Sequence, residues 1–223
     1  MCNLFKIKKM TNKKELISIL NDKLSENNVQ LIEDKVLSEW TTVQSHFEKR
    51  LEQYNAIDII LLGEATVNAE NYLLNTENQN TTSFLEPKHF GMTTKQELND
   101  FLINNKIFVF DLYAIPLATL IYDNITFTFK DKNKDNLYIQ HLNEHFSQLK
   151  NKLGDKSVKL VLRYTKLTKR REWKIFKNYF ANNFRQSYGK KDSDIPNISK
   201  NIRASEVKIQ EIFGHFIKVH NLH

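Results

Sequence analysis

Two carboxylates, and a hydroxyl with a cation beside it, stand where this chain leaves its most apolar runs. Ile57 to Leu62 is aliphatic and β-branched apart from Asp58, and it leads straight into Gly63, Glu64, Ala65 and Thr66. Ile107 to Phe110 ends on Asp111, and Val158 to Leu162 (VKLVL) runs into Arg163, Tyr164, Thr165 and Lys166. Short, nearly unbroken apolar runs of this kind read as strands covered on both faces. Ligands of open α/β sheets bind outside the carboxyl ends of such strands, so Glu64, Asp111, Thr165 and Lys166 are expected at one crevice. Carboxylates, a hydroxyl and an ammonium converging there perturb one another's pKa values and can activate a water. Taken singly, each is also an ordinary capping or loop residue; only the shared position after buried strands singles them out. Glu64 and Asp111 are the catalytic candidates. Gly63, Ala65, Thr66, Tyr72, Thr165 and Lys166 are the candidate substrate contacts, Gly63 because a residue without Cβ lets the chain turn and a ligand approach the backbone.

The elements that must position these groups follow from periodicity. Asn12 and Glu15 have the spacing of a capping box, and Leu16, Ile19, Leu20 and Leu24 recur behind it at helical spacing. Val36, Trp40, Val43, Phe47, Leu51 and Tyr54 predict a second amphipathic helix. Residues 67–74 read as a short helix, and Asn75 to Ser83 as a polar loop leading to an aromatic cluster that includes Phe84 and Phe90. Thr94 with Glu97 is a further capping box, opening a helix through Leu98, Phe101 and Leu102. Ile125 to Phe129 alternates like a short edge strand, and the following KDKNKD reads as a solvated turn. Tyr138, Leu142, Phe146, Leu149 and Leu153 mark another helix, closed by Gly154. From Thr168 a basic amphipathic helix carries Trp173, Phe176, Phe180 and Phe184 and is expected to end at Gly189; Ser205 to Phe213 reads as helix and His215 to Val219 as a last strand. Strands separated by crossover-length helical stretches predict an α/β fold: a three-layer α/β/α arrangement with a mainly parallel sheet of about four strands. Residues 1–55 form a helical amino-terminal part and 56–223 the core, in a single expected domain.

Charge is unevenly spread along the chain. Residues 1–149 hold 15 Lys and Arg against 20 Asp and Glu, whereas residues 150–223 hold 18 against 6. A basic last third suits a polyanion, nucleic acid first, because neutralised phosphates release counterions. A general enrichment in Lys, Asn and Ile is the bland source of the same excess. Arg163, Arg170, Arg171, Lys174 and Lys177 are the candidate DNA contacts. The one cysteine, Cys2, precludes an internal disulfide or a cysteine-ligated cluster, and five glycines leave little room for a phosphate-binding loop. Seven histidines show no ligand spacing beyond His141 and His145, which share a helix face, so no metal and no cofactor are expected. With no long apolar run and no apolar segment after the amino-terminal lysines, neither a membrane span nor a signal peptide is expected, and the cytoplasm is the expected location.

The order of strand, Gly63-Glu64-Ala65, aromatic-bearing loop, strand ending on Asp111 and strand Val158 to Leu162 resembles the uracil-DNA glycosylase superfamily over roughly Ile57 to Tyr179. Some branches of that superfamily carry Gly-Glu-Ala-Pro-Gly as a first motif and a later strand ending in Asn. The resemblance implies that Glu64 orients or polarises the attacking water, that Phe84 stacks on an extruded base, and that Asp111 stands where Asn reads the base edge. Here Thr66 replaces the Pro, no Gly follows it, and only His215 and His220 stand near the place of the family's last histidine-bearing motif. An ionised Asp only accepts hydrogen bonds, whereas Asn also donates, so Asp111 suits an exocyclic amine better than uracil.

Three functions are compatible with these residues. One is a glycosylase-like enzyme that flips a nucleotide into the crevice and hydrolyses its N-glycosidic bond. Another is an inactive module of the same fold that binds nucleic acid, a nucleotide or a protein partner. The last is a metal-dependent α/β hydrolase with Glu64 and Asp111 as magnesium ligands.

Overall fold

The three apolar runs form three parallel strands, β1 (Ile59–Gly63), β2 (Ile107–Asp111) and β3 (Lys159–Leu162), in the order β2-β1-β3. In this computed structural model residues 2–27, 30–65, 75, 87, 92–113, 115–116, 127–163, 165–184 and 191–197 are described, with 2–12, 27, 165, 166 and 194 described by backbone alone. Register pairs Ile59 with Ile107 and Lys159, and Gly63 with Asp111, so the three strands end level at one edge. About four strands were expected; beside β3 there is a single parallel bridge, Leu162 to Asn197, in place of a fourth ladder among the described residues.

Among the described residues five α-helices accompany the sheet: α1 (Cys2–Leu24), α2 (Glu33–Gln53), α3 (Lys95–Asn104), α4 (Lys132–Leu153) and α5 (Arg171–Tyr179). Alternation along the strands sorts their side chains into two layers. Ile60, Leu62, Phe108, Phe110, Leu160 and Leu162 share a core with residues of α1, α2, α4 and α5. Ile59, Leu61, Ile107, Val109 and Val161 are buried on the other face, where α3 supplies Leu98 and Leu102. The connection from β1 to β2 through α3 and the return from β2 to β3 through α4 run in opposite directions, and right-handed crossovers then place the two helices on opposite faces. The strand order therefore reverses between β1 and β3, the position at which open α/β sheets hold ligands.

Local chemistry explains most element ends. The Thr94 hydroxyl accepts from Glu97 N at 3.1 Å while Glu97 Oε2 accepts from Thr94 N at 2.9 Å, the reciprocal cap read from sequence. Gly154 ends α4 at φ +56°, a conformation that favours glycine. Tyr54, at the end of α2, donates its hydroxyl to Ile107 O at 2.6 Å and ties that helix to the start of β2. Among the described residues no helix is long and apolar enough to cross a membrane.

Four expected boundaries are corrected. Helix α1 begins ten residues before Asn12, because nothing in residues 2–11 breaks a helix and extending one already nucleated is easier than starting anew. The KDKNKD run is no free turn: Asp131 caps α4 by accepting from Asn133 N at 2.8 Å, and the lysines after it are good helix formers. Phe127 to Phe129 do not form a strand; Phe129 N donates to Asp135 and Phe127 O accepts from Arg171. Helix α5 ends at Tyr179 and not near Gly189, where the poor helix formers Asn182 and Asn183 follow. Asn183 is drawn away to donate to Gly154 O at 3.0 Å and Lys156 O at 2.7 Å. The expected aromatic face survives the change, for Trp173, Phe176, Phe180 and Phe184 are all fully buried. The helix expected over 67–74 and the elements expected after Ser205 lie outside the described residues.

Candidate functional site at the carboxyl edge of the sheet

Glu64 and Asp111 leave the sheet at the same edge. Leu112 N donates to Gly63 O at 3.1 Å and Tyr113 N to Glu64 O at 3.0 Å, so the pairing of β1 with β2 runs one residue past Gly63. The carboxylate of Asp111 lies directly on Gly63: its Oδ1 occupies the space a Cβ there would need. Gly63 is thus required by close approach, but of a neighbouring carboxylate and not of a turn in its own strand. Ala65 is buried in the core that α1, α2, α4 and α5 share.

The two carboxylates face different ways. Asp111 follows Phe110 in alternation and rests on Gly63 on the α3 side, half-buried. Glu64 turns toward α5, where Nε of Arg170 donates to its Oε1 at 2.9 Å and Nη2 lies 2.9 Å from the same oxygen. The Glu64 side chain is only 6% exposed and that of Arg170 18%, so this ion pair is largely out of water. It closes the gap between the end of β1 and the segment after β3, the place where the strand order reverses.

A polar network lies behind it. Glu172, in the first turn of α5 and 2% exposed, accepts from the hydroxyls of Tyr113 at 2.7 Å and Tyr138 at 2.8 Å. The helix N-terminus favours the negative charge there. Burial first, and Glu172 second, push both phenols far above their ordinary range, so they remain neutral donors. Arg171 forks onto Asp135 at 2.6 and 2.5 Å and donates to Phe127 O at 2.8 Å. Those bonds lower the Asp135 carboxyl and raise the guanidinium.

The basic candidates are mostly turned inward. Arg170 holds Glu64, Arg171 holds Asp135, and Lys177 donates to Asp192 at 2.5 Å while Trp173 Nε1 donates to the other oxygen of that carboxylate at 2.8 Å. Arg170, Arg171 and Lys177, all expected at phosphates, are therefore engaged within the fold, because each faces a carboxylate delivered by another segment. Arg163 is half-buried beside β1, its N donating to Leu62 O, and Lys174 is exposed. The backbone of Thr165 and Lys166 enters a 3-10 turn, Thr165–Lys169, just beyond β3. Thr66, Tyr72, Phe84, His215 and His220 lie outside the described residues.

Beyond a helix face shared with His141, spacing gives no role to His145. From α4 its Nε2 donates to Asp111 O at 2.8 Å, and its ring stacks on Phe110 with centroids 4.6 Å apart and planes at 13°. Desolvation lowers its pKa to about 4, and the ring is neutral at ordinary pH. His141, one turn earlier, instead faces a cavity of about 20 Å³ bounded by Leu16, Leu20, Ile115, Tyr138 and Leu142. That space suits a single water and no base. Among the described residues no three of His, Cys, Asp and Glu gather as metal ligands would.

Comparison of the chain with family models, curated proteins and solved structures yields no match.

Proposed function

We propose that this protein recognises a base in DNA at the carboxyl edge of its sheet, on the plan of a DNA glycosylase-like protein. The observation that supports this reading is the seat of Asp111: a carboxylate packed on Gly63, its register partner, at the end of a buried parallel strand. Open α/β sheets bind ligands at that edge, and an acceptor held there suits the polar edge of a base. Lys174, exposed on α5, is a basic group offered to phosphate.

Hydrolysis of the N-glycosidic bond is the second reading, favoured by one feature. A hydrogen bond and an ion pair from Arg170 hold Oε1 of the Glu64 carboxylate, as a group that aligns water for attack requires. The same bonds argue for recognition first, since a carboxylate engaged by a guanidinium must share it before it can accept a proton.

Both readings are tested together. Single- and double-stranded oligonucleotides with a modified central base are incubated with the protein, treated with alkali, and assayed in parallel for salt-dependent binding. Binding without strand cleavage supports recognition alone. Cleavage that Glu64→Gln abolishes supports hydrolysis, and absence of both binding and cleavage sinks the proposal.

A further inference from the structure

Helix α1 meets α4 across a gap, and a histidine faces it. Leu16 and Leu20 of α1, Tyr138 and His141 of α4, and Tyr113 after β2 bound a space of about 20 Å³ whose wall is almost wholly hydrocarbon. The two phenol hydroxyls are committed elsewhere, both to Glu172. His141 is 9% exposed. Its Nδ1 lies 3.6 Å from Oε2 of Glu144, beyond hydrogen-bond length. An imidazolium in this position would lack the solvation that its charge requires. The charged groups that act on the ring are Glu144 on its own helix and Glu15 on α1, while Tyr113 and Tyr138 are neutral. Burial outweighs the two carboxylates and holds the imidazole below its ordinary value of 6.5.

Helix α1 is anchored at one end. Leu31 N donates to Asn21 Oδ1 at 2.6 Å and Asn21 Nδ2 donates to Leu31 O at 3.3 Å, which ties the carboxyl end of α1 to the segment before α2. Two of its charged links, Lys14 to Glu33 and Asp22 to Lys134, lie at the surface, where water screens them. The rest of the hold is the apolar stripe of Leu16, Ile17, Leu20 and Leu24.

We propose that His141 is a pH-sensitive latch on α1: with a neutral imidazole the helix lies closed on α4, and a proton taken from solvent releases it to turn on its Asn21 anchor. The open arrangement lets water reach the ring and so binds the proton more readily. Its population therefore rises by up to about tenfold for each pH unit below 6.5. Release uncovers Tyr113, whose N donates to Glu64 O at 3.0 Å, so acid loosens the wall behind the candidate site. The latch does not depend on what that site binds.

The test is hydrogen exchange of the full chain at pH 7, 6 and 5, read by mass spectrometry as protection relative to unfolded peptides, so that the pH dependence of the exchange chemistry cancels. Peptides from residues 13–24 report α1, and peptides from 59–63 report the sheet. Protection of α1 is expected to lie below that of β1 at each pH and to fall by about tenfold or more between pH 7 and pH 5. In His141→Phe, which fills the gap with a ring that takes no proton, α1 protection should be flat over that range. His141→Gln, smaller and equally unable to titrate, should flatten it too, and His145→Phe should leave the α1 slope in place. Wild-type α1 protection that does not change with pH overturns the latch. So does a slope that persists in either His141 variant that folds, or one that His145→Phe removes. Equal protection of α1 and β1 at every pH overturns it as well, since α1 would then open only with the whole fold.

Discussion

Strand β1 has an acidic residue just before it and another just after it, and the two behave differently. Asp58, at the amino edge, lies between Lys106 at 3.3 Å and Lys156 at 2.5 Å, and all three side chains are roughly half exposed, at 45, 52 and 44%. Desolvation, the largest single effect on its carboxyl, is outweighed by the bonds from the two lysines, and its pKa is lowered. Glu64, at the carboxyl edge, meets one guanidinium almost out of water. An exposed cluster gains little because water screens it, whereas a buried pair has given up hydration on both sides and is costly to break. Equivalent chemistry at the two ends of one strand therefore holds the fold loosely at one edge and rigidly at the other. Rigidity falls on the edge where the candidate site lies.

The contrast is broken most severely at Arg170. Arg170→Ala leaves Glu64 buried without its cation and should cost about 3 kcal/mol in denaturant unfolding. Replacing both partners, as Arg170→Ala with Glu64→Leu, should return a good part of that loss, because no charge is then stranded. A double variant as unstable as the single would mean that the pair is not what holds this edge.

A pH scan separates the edges next. In the folded chain His145 titrates at about 4, against 6.5 for a free imidazole. Between those values the unfolded chain binds the extra proton, so stability is full above pH 6.5 and declines as pH falls toward 4. His141, which burial also lowers, acts in the same direction. From pH 7 to 4.5 the unfolding free energy should drop by on the order of 2 kcal/mol, most of it absent in His145→Phe. The Asp58 cluster should contribute little to this decline, since its carboxyl, lowered in the fold from 3.8, is mostly ionised in both folded and unfolded chain down to pH 4.5. An unaltered slope in His145→Phe would place the titrating group elsewhere.

Gly63→Ala is the third and smaller disturbance. The new Cβ must push the Asp111 carboxylate aside, at a cost of about 1–2 kcal/mol. In an Asp111→Ala background the same substitution should cost clearly less, and a double-mutant cycle measures the difference. Strict additivity would show that the carboxylate does not rest on Gly63. Smallest of all, Lys156→Ala at the amino edge should change stability by less than about 1 kcal/mol, and less still at high salt.

What the amino-acid sequence determined by itself is the set of elements that local rules specify. Apolar runs of four to six residues announced all three strands, and the Thr94–Glu97 box and Gly154 marked helix ends, because caps and periodicity act over a few neighbouring residues. The carboxyl edge was legible too, since strand ends and strand direction together place Glu64 and Asp111 on it. Pairing was not legible. Arg170 and Arg171 are adjacent in a basic run that reads as one surface, yet they leave it for Glu64 and Asp135, 106 and 36 residues away. His145 looked like half of a weak metal pair until the fold brought Asp111 beneath it. Only tertiary structure decides such matches, for a charge or a hydrogen-bond donor takes the partner that packing delivers, and sequence spacing carries no record of which partner that will be.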